Sequence, residues 1–224
     1  MKRLIIAIDG PSGAGKGTIA RTIAQSLNYR HIDTGAMYRA VGWKALSDQV
    51  PLDNEPALAA VAGRSRIVIE DGRVSIDGQD VTQAIRTPEI DKAASAVARL
   101  PRVRDVLVAR QRQMGAQGGV VMEGRDIGTV VFPEADIKIY LDASAEERAR
   151  RRLHDAGHSG GQAGEAAVAA SIQARDMSDT TRTVSPLALA ADAVHIDTTG
   201  MPIAEVVTRV MELVNRKSAI ANRQ

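Results

Sequence analysis

The chain has 224 residues, 44% hydrophobic and 25% charged, the balance of a globular protein with one domain or two small lobes. It contains no cysteine, which excludes a disulfide scaffold, a thiolate metal site and a cysteine nucleophile. Net charge is +2 and aromatics are 2%, so a base-stacking nucleic-acid surface is not expected despite a pI of about 9.1. The N-terminal apolar run Leu4-Ile5-Ile6-Ala7-Ile8 is too short for a signal peptide or a membrane span, so no membrane association and a cytoplasmic location are expected.

Leu4 to Asp9 predicts a buried strand, followed by a glycine-rich turn over residues 10–17. Ile19, Ile23 and Leu27 recur at i, i+4, i+8 and predict a helix. A short strand from Tyr29 to Asp33 and a helix from Thr34 to Ser47 come next. Over residues 66–82 the pattern changes to alternation. Ile67 and Ile69, a turn at Asp71-Gly72, Val74 and Ile76, and a turn at Asp77-Gly78 predict an inserted antiparallel meander. Helix is expected again from Pro88 to about Gln113, then strands from Val120 to Glu123 and from Asp136 to Leu141. Ser144 and Glu147 form a capping-box pattern that opens a helix reaching about His154. Gly157 to Gly164 carries glycines among polar residues and predicts a flexible stretch. Helix from Glu165 to about Met177 and strand from Ala193 to Asp197 follow. The last helix starts at Pro202 and sets Ile203, Val206, Val207, Val210, Leu213 and Val214 on one face. Strands separated by helices predict an α/β fold. A parallel five-stranded sheet would carry helices on both faces, the small antiparallel β insertion, and ligands at the strands' carboxyl ends.

Gly10-Pro11-Ser12-Gly13-Ala14-Gly15-Lys16-Gly17-Thr18 lies between a strand and a helix, the context of a P-loop. Its glycines let backbone N–H groups converge on phosphate oxygens, and the helix N-terminus adds partial positive charge. Lys16 can reach the β- and γ-phosphates. Gly17 occupies the place where the general pattern has serine or threonine. No magnesium ligand is therefore assigned, and Thr18 is placed to reach the ion only through water. The Gly-Lys-Gly-Thr ending is nearer to nucleoside monophosphate kinases than to GTPases, and no Asn-Lys-x-Asp guanine-reading motif is present. Asp197-Thr198-Thr199-Gly200 matches a GTPase Asp-x-x-Gly pattern at the level of chance.

Two more segments fall at carboxyl ends of predicted strands. In Asp33-Thr34-Gly35-Ala36-Met37-Tyr38-Arg39, Thr34 is expected to cap the next helix, with Arg39 one turn on. The alternative is a plain capped helix with a solvated arginine. In Gly124-Arg125-Asp126-Ile127-Gly128-Thr129, Arg125 can bind a phosphate and Asp126 can accept from an exocyclic amino group. The alternative is a turn closed by a local ion pair. Arg148, Arg151 and Arg152 share a helical face, as do Arg175, Asp179 and Arg182. Each set reads either as an arginine clamp or as a solvated surface.

These segments resemble the bacterial cytidylate kinases in order and spacing. Ile85-Arg86-Thr87, Pro101-Arg102-Val103-Arg104, the run from Gly124 to Pro133, and Asp142-Ala143-Ser144-Ala145-Glu146-Glu147-Arg148-Ala149 add to the match, which spans about Leu4 to Val214. The resemblance implies a P-loop nucleoside monophosphate kinase of pyrimidine metabolism. It would move the γ-phosphoryl group of ATP to CMP or dCMP with Mg2+, as a monomer acting on small molecules. It implies that Ser95, Arg104 and Asp126 read cytosine, that Thr34, Tyr38, Arg39, Arg125 and Arg182 hold the acceptor and its phosphate, and that Asp179 meets the ribose. Lys16, Arg125, Arg175 and Arg182 would be catalytic, and Arg148, Arg151 and Arg152 would belong to a mobile lid over ATP. The implied regions are a core of 1–33, 114–147 and 184–224, an acceptor region of 34–113 and a lid of 148–183. Between Arg175 and Arg182 the chain departs from the family's more charged run, with Ser178 where an arginine is common, so Arg175 and Arg182 are expected to carry more of the work. The rival readings are a UMP, AMP or small-metabolite kinase, a nucleotide switch with no acceptor, and, weakest for want of aromatics, a nucleic-acid binder suggested only by the pI.

Overall fold

The computed structural model describes residues 3–70, 72–154 and 164–221. Strand β1 (Ile5–Asp9) runs through the glycine-rich loop into α1 (Lys16–Leu27), and β2 (Arg30–Asp33) runs into α2 (Thr34–Ser47). Helix α3 (Glu55–Arg64) precedes the short strands β3 (Ile67–Glu70), β4 (Arg73–Ile76) and β5 (Gln79–Asp80). Helices α4 (Pro88–Val97) and α5 (Pro101–Gly115) lead to β6 (Val120–Gly124) and a π-helical turn, Ile127–Val131. Then come β7 (Ile137–Asp142), α6 (Ala145–Leu153), α7 (Glu165–Thr181), β8 (Val194–Asp197) and α8 (Ile203–Ala221).

The main sheet has five strands in the order β2-β6-β1-β7-β8, and every neighbouring pair is parallel. Asp9 stands level with Gly124 on one side and Tyr140 on the other, so the strand ends align at one edge. The chain leaves β1 for β2, returns to fill the gap with β6, and then crosses to the far side of β1. That reversal opens a crevice beyond the end of β1. Alternation along β1 serves two cores. Ile6 and Ile8 pack with Ile19 and Ile23 of α1 and with Val206, Val210 and Val214 of α8. Ala7 packs on the other face with Met122, Val108 and Ile127.

The inserted meander is present as a three-stranded antiparallel sheet in the order β3-β4-β5. It lays Val74 and Ile76 against Ala36 and Ala40 of α2. Its second turn has left-handed Asp77 (φ 53°) and Gly78 (φ 85°), as a tight hairpin requires; Asp71 of the first expected turn lies outside the described residues.

Three elements differ from the sequence expectation. The helix expected from Pro88 to Gln113 is two helices, because Pro101 lacks an N–H and holds Leu100 extended at ψ 113°. Helix α3 was not anticipated, although Asn54 is a readable cap whose side chain accepts from Ala57 N. Ile203, placed on the core face of the last helix, is 55% exposed. Most of the glycine-rich stretch Gly157–Gly164 lies outside the described residues, and Gly164 stands at the N-cap of α7. Among the described residues no helix is long and apolar enough to cross a membrane.

Candidate active site

The loop after β1 is shaped by two glycines that tolerate no side chain. Gly10 has φ 145°, and a Cβ there would stand 1.9 Å from Leu141 O, so only glycine lets the chain leave the sheet beside β7. Gly13 has φ 80°, and its Cβ would meet Arg148 O at 2.8 Å. Gly15 is the left-handed N-cap of α1 and offers no side-chain cap, so the first amides of the helix stay open to an anion. Lys16 is buried at the head of that helix and its Nζ donates to Pro11 O at 2.7 Å. Burial, aided by the charges of Arg125 and Arg175, lowers its pKa to about 7 against the opposing pull of Glu123 and Asp9. An anion between these cations would restore the lysine's charge.

At the end of β2, Asp33 and not Thr34 caps α2. Its carboxylate accepts from Ala36 N at 3.1 Å and from Arg39 at 2.6 Å. Asp33 has the extended backbone a cap needs, while Thr34 is already helical and donates its hydroxyl to Glu123 O at 2.7 Å. Burial pushes the Asp33 carboxyl up, but Arg39 and His31 outweigh it and hold the group below the usual carboxylate range.

At the end of β6, Arg125 and Asp126 do not pair with each other. Asp126 pairs with Arg104 of α5, a guanidinium only 2% exposed that also sits 5.5 Å over the Tyr38 ring. Arg125 Nε donates to Asp179 of α7 at 2.7 Å. Arg182 stands between the two carboxylates, 3.8 Å from Asp126 and 3.7 Å from Asp179. The residues at 125 and 126 are thus fixed by elements far apart in sequence, which a local turn would not need.

The arginines of α6 and Arg175 of α7 are held as well. Arg151 donates to Glu147 at 2.8 Å and to the Thr198 hydroxyl and carbonyl at 2.8 and 2.7 Å. Arg152 and Arg175, on α6 and α7, both reach Asp91 of α4, the latter at 3.3 Å. Burial first, and then Arg125, lowers the Arg175 pKa to about 10. Arg148 donates to Ala143 O at 3.0 Å and Ser12 O at 3.1 Å and pairs with Asp176, which straps α6 beneath the loop.

These groups enclose a cleft of about 860 Å³. The sequence-predicted residues Ser12 to Thr18, Thr34, Tyr38, Arg39, Ser95, Arg104, Arg125, Asp126, Arg151, Arg152, Arg175, Asp179 and Arg182 all line it. Gly10, Pro11 and Arg148 do not. Sequence reasoning missed Glu123, which stands one residue before the end of β6, lies 2.8 Å from His31 Nε2, and would stand 3.3 Å from a Cβ on Gly17. An acidic residue near the end of a buried strand beside the P-loop strand was the available signal. It also missed Arg86, Arg150 and the wall formed by Thr198, Met201, Pro202 and Ile203. Ile203 was hidden because its helical spacing matched the core face. Among the described residues no group of three or more His, Cys, Asp or Glu could hold a metal ion.

A phosphate loop, a buried lysine and an arginine-lined cleft at the switch point of a parallel sheet define a P-loop kinase. Solved structures agree on the fold. A gluconokinase from Sinorhizobium meliloti 1021 aligns with TM-score 0.53 at 15% identity over 100% of this chain and 98% of its own. A shikimate kinase from Bacteroides thetaiotaomicron aligns with TM-score 0.51 at 12% identity over 95% and 98%. A sequence model of the cytidylate kinase family matches residues 6–216. The cytidylate kinase of Desulfitobacterium hafniense (strain Y51) is 51% identical over 219 residues, 96% of this chain and 94% of the relative. That of Enterococcus faecalis (strain ATCC 700802 / V583) is 46% identical over 221 residues, 97% and 98%. The chain belongs to the cytidylate kinase family.

Proposed function

We propose that the two ends of the cleft hold the two substrates of a CMP/dCMP kinase, ATP on the Lys16 loop and the monophosphate against Asp126. The observation that carries this reading is the buried Asp126 carboxylate, held by Arg104 beside the cationic cluster of Arg125, Arg175 and Arg182. Asp126 accepts from the exocyclic amino group of cytosine and repels the carbonyl that uracil has there, with Arg104 and Ser95 completing the edge. Arg39 and Arg125 hold the acceptor phosphate, and Asp179 takes the ribose hydroxyls. Met201, Pro202 and Ile203 give the purine an apolar wall.

The acceptor is already an anionic phosphate, so positioning and electrostatics do most of the work. Lys16 and the loop amides meet the β- and γ-phosphates. Arg125, Arg175 and Arg182 neutralise charge on the group in transit. Arg151 and Arg152 close over the donor and keep water out. Glu123 and, through water, the Thr18 hydroxyl would hold a magnesium ion brought in with the nucleotide phosphates, since both line the cleft beside the Lys16 loop. Such an ion supplies further neutralisation of phosphate charge. The core, acceptor and lid regions divide as 1–33 with 114–147 and 184–224, then 34–113, and 148–183.

ADP release from Mg-ATP tests the reading, with CMP, dCMP, UMP, AMP or no acceptor. Strong stimulation by CMP or dCMP supports it. Equal rates with every acceptor, or with none, overturn it.

Asp91 competes with phosphates for Arg152 and Arg175. Asp91→Asn is expected to tighten ATP binding by about two- to fivefold, the size of partly exposed ion pairs. Calorimetric titration with ATP checks this, and weaker binding would refute the competition.

A further inference from the structure

We propose that Asp9, the last residue of β1, is a positioning residue for base recognition, fixing the Arg125–Asp126 loop against the strand that carries the phosphate loop. Asp9 is 5% exposed. Its two carboxylate oxygens accept from consecutive backbone amides, Ile127 N at 2.8 Å and Gly128 N at 2.7 Å. Those amides open the π-helical turn Ile127–Val131, whose own N-cap residue, Asp126, makes no side-chain cap. An aspartate at that position ordinarily caps its own turn. Here the cap comes from a different strand, which leaves the Asp126 carboxylate free to meet Arg104 and the base. One carboxylate thus ties the register of the base reader to the phosphate loop. This role rests on Asp126 reading the base as proposed above.

The surroundings give the contact a pH signature. Burial first raises the Asp9 pKa to about 6 against its two amide bonds, with Asp126 adding to the rise and Lys16 opposing it. Tyr140 stands beside it on β7, and the Lys138 stem lies next to Gly128 and the Asp9 carboxylate. Protonation turns an acceptor toward a donor and loosens one of the two bonds. Base discrimination is therefore expected to be intact above pH 6 and to decline below it. The ratio of kcat/KM for CMP to that for UMP reads this cleanly, because the phosphates of the two nucleotides titrate alike and cancel.

Asp136 provides a matched comparison. It makes the same kind of bond at the opposite end of β1, accepting from Ile5 N at 2.9 Å, away from the cleft. Asp9→Asn is expected to raise KM for CMP and cut the CMP/UMP ratio, each by about tenfold. Its dissociation constant for ATP, titrated directly, is expected to stay within about twofold. The ratio should also lose its decline below pH 6. Asp136→Asn is expected to lower the melting temperature without moving KM or the ratio. Gly128→Ala is a second variant, since its Cβ would press on the Lys138 stem at 3.2 Å and on Asp9 at 3.4 Å, and it is expected to shift the ratio the same way. Asp9→Asn behaving like Asp136→Asn, or losing ATP and CMP binding equally, would overturn the inference. So would a CMP/UMP ratio in the unmodified enzyme that is flat through pH 6, a readout that needs no variant. Failure of the kinase reading looks different, as turnover of the unmodified enzyme that no acceptor stimulates.

Discussion

Lys16→Ala is expected to lower turnover with CMP by about a thousandfold, the loss found when a preorganised group facing transition-state charge is removed. CMP binding should survive, because the proposed acceptor end rests on Arg39, Arg104 and Asp126, whose pairs with Asp33 and with each other do not involve the lysine. Rapid-quench turnover and direct CMP titration separate the two effects, and loss of CMP binding would count against the assignment. The lysine also leaves a protonic trace. Burial, followed by Arg125 and Arg175, lowers its pKa to about 7 in the free protein. Because that pKa is lowered, the free enzyme holds Lys16 mostly neutral above pH 7, while phosphate binding favours the charged form. ATP binding at pH 8 is therefore expected to take up about one proton, and affinity should fall as pH rises above 7, by at most about tenfold per unit. Calorimetry in two buffers of different ionisation enthalpy measures the uptake. If Lys16→Ala takes up the same proton, the titrating group lies elsewhere.

Much of this site was legible in the sequence because it is written locally. The P-loop needs a strand, particular glycines and a lysine in fixed order, and two of the glycines answer to a steric fact, Gly10 against Leu141 O and Gly13 against Arg148 O. Arg125 and Asp126 were readable as candidates because they fall just past the buried strand β6, and Arg39 because it lies about one turn into the helix that follows β2; parallel strands bring such points to one edge. What stayed hidden depends on partners remote in sequence. Nothing near Asp126 tells that Arg104 will pair with it, or that Arg125 will choose Asp179 instead of its neighbour. Thr34 looked like the cap because threonine caps helices well, but Asp33 has the extended backbone and the stronger acceptor. Ile203 was lost to the core because helical periodicity reports a face, and the first turn of α8 overhangs the cleft where the later turns meet the sheet. The break at Pro101 was visible and underweighted, since a continuous helical pattern on both sides masked a residue that cannot continue one.

The second large effect concerns choice of base. Asp126→Asn keeps the shape of the side chain but replaces an acceptor-only group by one that accepts on one side and donates on the other. The amide can present its oxygen to the amino group of cytosine or, turned over, its NH2 to the carbonyl of uracil. Preference for CMP over UMP is therefore expected to fall by a hundredfold or more, of order 10² to 10³, because a polar site loses its discrimination when the mismatched partner can be satisfied. Part of the change is a loss with CMP, since the neutral amide holds Arg104 less firmly, and part is a gain with UMP. The same substitution has a structural cost. Arg104 is 2% exposed, and removing the charge opposite a buried guanidinium costs up to about 3–5 kcal/mol, less here because the amide oxygen still accepts a hydrogen bond. A fall in melting temperature is thus expected alongside the change of preference. The two are separable, for a variant that is merely unstable loses activity with CMP and UMP in equal proportion. Asp126→Asn instead is expected to lose with one and gain with the other, and parallel losses would show that the carboxylate supports the fold without reading the base.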